Sequence, residues 1–182
     1  MTEADFRKSI REHIQTAQPA LWVVESKLAC SPRPLRYHPS FGGRIPSVPA
    51  VARPALVAWL DALKSVGIGT IVVLATPGEI KRYASVVAPN SDLVSFYQSQ
   101  GFVVHHHPIE DPAHAPIAAQ AGILNQLQDL KPVILHEFTA RVGAMLVHCS
   151  GGMDRTSPIG AYIAHQLAEA SNPNSSGNPE AG

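Results

Sequence analysis

Nine consecutive residues combine a nucleophile with an anion-binding pattern: His148-Cys149-Ser150-Gly151-Gly152-Met153-Asp154-Arg155-Thr156. An apolar stretch at 142–147 precedes them and a helix-forming stretch at 156–168 follows, so they form the loop between a buried strand and a helix. A cysteine at a strand end, two glycines and an arginine at a helix mouth place sulfur where backbone amides converge on an anion. Gly151 and Gly152 let the loop fold tightly, and Ser150, Met153 and Asp154 complete its backbone. The helix terminus and the loop amides favour a negative sulfur, so Cys149 is expected to ionise more readily than a free thiol. Arg155 presents a planar fork that takes two phosphate oxygens at once, which a lysine cannot do. Phosphate is the expected ligand and Cys149 the expected nucleophile.

The leaving group of a phosphate ester needs a proton, so an acid is expected on a loop across the cleft from the cysteine. Asp111 is the first candidate, because it follows the strand at 102–109 and precedes Pro112 in a loop. The neighbouring Glu110 is the second. Asp154, inside the cysteine loop itself, is open to three roles: secondary acid, water positioning or loop support.

These residues resemble the signature of the cysteine-dependent protein tyrosine and dual-specificity phosphatases, H-C-x5-R followed by Ser or Thr. The nine residues fit it at every fixed position, Pro108-Ile109-Glu110-Asp111 is similar to the P-I-x-D segment of that superfamily, and the small size looks like its dual-specificity branch. The resemblance implies that Cys149 attacks phosphorus, that Arg155 holds the equatorial oxygens, and that water hydrolyses a cysteinyl-phosphate. It further implies that Thr156 assists departure of the thiolate and that His148 sits beneath the loop, bonded to backbone. The G-x-D-R-T ending is similar to atypical and lipid-directed members. Met153 stands where phosphoinositide-directed members often carry Lys, which makes a highly charged inositol lipid a poorer substrate. Ser157-Pro158 stands where Gly is frequent, and it removes no catalytic group.

The activity implied is a phosphomonoester hydrolase without metal or cofactor, acting on a phosphorylated protein or a small phosphoester. Two alternatives are a phosphate-binding pseudophosphatase and a phosphatase for non-protein substrates such as phosphoinositides. Sulfur transferases of rhodanese type need neither the Thr after Arg nor an upstream aspartic acid, and low-molecular-weight phosphatases carry their cysteine near the N-terminus.

Positioning this loop requires strands that end beside it. Residues 68–75 are apolar at nearly every position, as a strand covered on both faces requires. Further strands are expected within 21–28, at 102–109 and at 142–147. Helices are expected at 2–16, where Phe6, Ile10 and Ile14 recur at helical spacing; at 51–66, where Leu56, Trp59, Leu60 and Leu63 do so before Gly67; at 91–100; at 113–130; and at 156–168. Pro-rich segments at 31–49 and the stretch at 75–92 read as loops. The alternation predicts an α/β fold: a three-layer sandwich of a mostly parallel sheet flanked by helices, dual-specificity phosphatase-like. The expected division is an N-terminal helical extension at 1–20, a phosphatase domain at 21–170 and a disordered polar tail at 171–182.

The 182 residues are 45% apolar and 15% charged, with 14 basic against 14 acidic residues. No basic run offers the phosphate attraction on which nucleic-acid binding depends, so no such binding is expected. No stretch approaches the roughly 20 apolar residues of a membrane span, and residues 1–10 lack the apolar block of a secretory leader, so a cytoplasmic location is expected. Two cysteines make no disulfide framework. Cys30 is expected to be an inert buried thiol, the alternative being a resolving partner for Cys149. His105-His106-His107 places only His105 and His107 on one strand face without a completing ligand, so no metal site is expected. Trp22, Trp59 and Leu60 are assigned to the core, and Arg33, Arg36 and Arg44 to a solvated loop.

Overall fold

The computed structural model describes residues 2–16, 18–43, 45–89 and 91–171. Among them five strands make one sheet: β1 (Leu21–Val24), β2 (Leu28–Ser31), β3 (Ile68–Val73), β4 (Val103–His106) and β5 (Ala144–His148). Their order is β1-β2-β5-β3-β4, so the strand that ends at the cysteine loop lies in the middle. The β2/β5, β5/β3 and β3/β4 pairs are parallel and β1 is an antiparallel edge, which gives the mostly parallel sheet expected.

Strand alternation sorts the apolar residues between two cores. Ala29, Ile71, Val73 and Leu146 face the first core, with Leu56, Leu60 and Leu63 of α2 (Arg53–Ser65) and Leu93, Phe96 and Tyr97 of α4 (Leu93–Ser99). Leu28, Cys30, Val72, Met145 and Val147 face the second. There they meet Phe6 and Ile10 of α1 (Glu3–His13), Leu127, Ile134 and Phe138 of α5 (Ile117–Thr139), and Ile159 and Ile163 of α6 (Thr156–Ser171). Helices therefore cover both faces of the sheet, which is why residues 68–75 carry no polar alternation.

Several boundaries differ from those the sequence suggests. The single strand expected within 21–28 is a hairpin, turned by Ser26 at a left-handed φ of 57°. The β4 ladder ends at His106, though His107 and Ile109 still donate backbone hydrogen bonds to β3 residue Val73 and to Leu74. Helix α5 runs through Pro132 to Thr139, because Ile123, Leu127, Ile134 and Phe138 keep one face buried across the missing amide. Helix α6 continues to Ser171, and the rest of the expected tail, 172–182, lies outside the described residues. Within the loop expected at 75–92 there is a short helix, α3 (Pro77–Ile80), followed by a 3-10 turn at Lys81–Tyr83. No helix among the described residues is long and apolar enough to cross a membrane.

Helix α1 is built as part of the second core. A reciprocal cap between Thr2 and Asp5 starts it, and Phe6 and Ile10 are fully buried. A side chain at Gly160 of α6 would meet the Phe6 ring at 3.0 Å, so the missing Cβ lets the two helices approach. Phe6→Ala is expected to cost about 3–5 kcal/mol of unfolding free energy in a urea titration; a midpoint equal to that of the unaltered chain would contradict a docked α1.

Candidate active site

The loop at 149–155 leaves the end of β5 with Cys149 only 1% exposed. The backbone N–H of Gly152 donates to Cys149 Sγ at 3.2 Å. Gly152 takes φ +80°, and a Cβ there would lie 2.7 Å from the Pro32 nitrogen, so this glycine is required by both conformation and space. Gly151 faces open space and is not constrained in that way. The loop is pinned to the segment after β2 by a hydrogen bond from Arg33 N–H to the Ser150 carbonyl, and to α6 by one from Ser157 N–H to the Met153 carbonyl.

Arg155 has no exposed surface. Its Nη1 donates to Glu79 Oε2 at 2.7 Å and to the carbonyls of Ile109 and Leu74 at 2.8 and 3.2 Å, while Nη2 donates to Glu79 Oε1 at 2.7 Å. Asp111 Oδ2 lies 3.5 Å from Nη2, and Nε is buried without a protein partner. The guanidinium is thus fixed by one carboxylate and two carbonyls, and its buried Nε–H has no hydrogen-bond partner among the described residues. Burial alone would push the Glu79 carboxyl up. The hydrogen bonds and charge of Arg155, helped by Thr76 and Ser150, outweigh that and hold it at about 2.

Glu79 is the functional residue that the motif reading missed. It closes a capping box: Thr76 N–H donates to Glu79 Oε2 at 2.8 Å and Glu79 N–H to Thr76 Oγ1 at 3.3 Å, with Pro77 opening the helix. Thr76-Pro77-Gly78-Glu79 is a helix-start pattern readable in the sequence, but nothing in it announces the arginine it meets.

A cleft of about 350 Å³ opens between Ser150, Thr76, Glu79, Glu110, Asp111, His114, Arg36 and Arg82. Both Glu110 and Asp111 therefore face it. The Asp111 carboxylate has named partners: Oδ1 accepts from Ala113 N–H at 3.0 Å, and Oδ2 lies 3.2 Å from His114 Nδ1. Asp154 instead accepts from Arg7 Nη1 of α1 at 2.8 Å. Thr156 Oγ1 is buried without a hydrogen-bond partner.

His148 lies beneath the loop. Its Nδ1 donates to the Cys149 carbonyl at 3.2 Å, leaving Nε2 to accept from the Tyr97 hydroxyl at 3.3 Å, and burial pushes the imidazole down to about 4, so the ring is neutral. Burial likewise pushes the Cys30 thiol well up within the second core. His107 Nε2 hydrogen-bonds the Glu137 carboxylate of α5 at 2.9 Å and His105 Nδ1 lies 3.1 Å from it, a partner that strand spacing did not supply. Arg33 is not a solvated loop charge: it is buried, with Nη1 on the Tyr83 hydroxyl at 2.8 Å and Nη2 on the Gly43 carbonyl at 2.9 Å. Arg36 lines the cleft, and Arg44 lies outside the described residues.

A sheet whose central strand delivers a buried cysteine into a loop with the Gly152 amide on its sulfur, closed by a buried arginine, is the arrangement of the cysteine-dependent phosphatase superfamily, and the chain falls in its atypical dual-specificity branch. Within it, the chain belongs to the Cyclin-dependent kinase inhibitor 3 (CDKN3) family, whose family model matches residues 5–176. It is 33% identical over 113 residues to Cyclin-dependent kinase inhibitor 3 of Homo sapiens and 31% identical over the same length to that of Sus scrofa, matches that cover 62% of this chain and 47% of each relative. The matched region thus spans about half the length of those relatives. Among solved structures, a kinase associated phosphatase (KAP) with its catalytic-site cysteine replaced by serine is similar at a TM-score of 0.48 and 21% identity, over 80% of this chain and 74% of that one.

The low position of the Glu79 carboxyl gives the pair a signed pH dependence. A carboxyl held at about 2 against an ordinary 4.5 stabilises the fold fully above 4.5, and that stabilisation is lost as pH falls from 4.5 toward 2. Thermal melts across that window should show a falling Tm in the unaltered chain and a flatter response in Glu79→Gln, itself less stable at neutral pH. Parallel profiles would rule out the pair as the source.

Proposed function

We propose that this chain hydrolyses phosphomonoesters through a covalent cysteinyl-phosphate. The observation that carries this reading is the buried Arg155, locked by Glu79 with Nε unpartnered, on the same loop as a Cys149 sulfur that already accepts an amide N–H. Amides and guanidinium are in place before the ligand arrives, so negative charge that builds on phosphoryl oxygens meets donors needing little rearrangement.

In the first step the Cys149 thiolate attacks phosphorus, the ester P–O bond breaks, and Asp111 gives its proton to the departing oxygen. In the second, Asp111 takes a proton from water, which attacks phosphorus and breaks the P–S bond, and Thr156 donates a hydrogen bond to the returning sulfur. His148, neutral and bonded to the Cys149 carbonyl, fixes the start of the loop. Ser150, Gly151, Gly152, Met153 and Asp154 supply the backbone around the phosphate. CDKN3 membership and the absence of a lysine at Met153 favour a phosphorylated protein over an inositol lipid.

Cys149→Ser should abolish hydrolysis of an aryl phosphate while keeping affinity for the ester; full activity of that variant would refute the mechanism. A pseudophosphatase would bind the ester without turnover in the unaltered chain. Asp111→Ala should lower kcat/KM, which reports the first step, by about 10²–10⁴-fold on alkyl phosphates and much less on activated aryl phosphates. An unchanged kcat/KM on alkyl phosphates would move the acid role to Glu110 or Asp154.

A further inference from the structure

Helix α1 reaches the phosphate loop through one side chain. Arg7 is gripped on its own helix by Glu3, whose Oε1 accepts from Nε at 3.1 Å and from Nη2 at 3.0 Å, one turn earlier. That leaves Nη1 to donate to Asp154 Oδ1 at 2.8 Å, across 147 residues of sequence. The preceding residue, Phe6, sits in the gap left by Gly160, which fixes the height of α1 along α6. The two charged groups are half-buried, with 33% of the Arg7 side chain and 27% of the Asp154 side chain exposed.

Asp154 is a chemical oddity in its loop. It places a carboxylate one residue before Arg155, in the loop proposed to hold a doubly negative phosphate, and a negative charge carried by that loop opposes the anion. The described residues give that carboxylate one partner, Arg7. We propose that Arg7 is a positioning residue for the anion site: it holds Asp154 and offsets part of its charge, so the loop presents its amides and Arg155 to phosphate against a weaker opposing charge. This rests on the phosphate-binding reading above and adds α1 to the working site. It also settles which of its three open roles Asp154 fills, namely loop support.

The test uses the full chain with inorganic phosphate as the probe, its affinity read as competitive inhibition of aryl phosphate hydrolysis and by calorimetry. Arg7→Ala should weaken phosphate and raise KM by about three- to tenfold, with a smaller change in kcat, and the deficit should shrink in 1 M salt. Arg7→Lys, which keeps the charge, should retain most of the affinity. The decisive variant is the double substitution Arg7→Ala with Asp154→Asn, which removes the uncompensated carboxylate and should bind phosphate more tightly than Arg7→Ala alone. If Arg7 merely glued α1 down, Arg7→Ala would lower the Tm and leave phosphate affinity and its salt dependence unchanged, and the double substitution would recover nothing; either result overturns the proposal. If the unaltered chain failed to bind phosphate, the site reading and this proposal would fall together, an outcome distinct from normal binding that is indifferent to Arg7.

Discussion

The Arg155 guanidinium is a full positive charge with no exposed surface, and the site is arranged around meeting its demands. Removing such an ion from water costs several kcal/mol unless every donor is answered. The two-pronged contact with Glu79 and the carbonyls of Leu74 and Ile109 answer most of it. Those acceptors come from three places: the helix cap after β3, the end of β3 itself, and the entry to the loop bearing Asp111. One buried cation therefore sets the position of the cysteine loop, the capping helix and the Asp111 loop relative to one another. The donor it keeps unpaired, Nε, is the one that a phosphate oxygen would take up in the proposed reaction.

The sheet supplies the rest of the rigidity. Because β5 lies between β2 and β3, the start of the cysteine loop is held from both sides, and Leu74 N–H bonds the His148 carbonyl just before Cys149. A neutral His148 suits this position, since a second buried cation under the loop would compete with Arg155 for the same negative charge. Its hydrogen bond to Tyr97 carries the constraint through to α4 on the opposite face of the sheet.

What could be read in the sequence follows a simple division. The cysteine, the arginine and the glycine that a tight loop demands lie within nine contiguous residues, so their pattern can be read without any knowledge of the fold. The apolar runs likewise revealed β3 and β5, because a strand covered on both faces leaves an unbroken signature. Groups whose role depends on a distant partner were silent. Glu79 looks like an ordinary cap until Arg155 arrives from 76 residues away, and Arg33 looks like a loop charge until Tyr83 and Gly43 enclose it. Glu137 meets His105 and His107 only because α5 continues through Pro132, where propensity alone argues for a stop.

The central claim is that phosphorus passes through the Cys149 sulfur. The most direct measurement is a rapid acid quench during turnover of an aryl phosphate, followed by mass spectrometry of the peptide containing Cys149. The account predicts phosphate on that sulfur within the first turnover, decaying as substrate is exhausted. Steady product release with the Cys149 peptide unmodified at every time point, or with the phosphate on another residue, would contradict it.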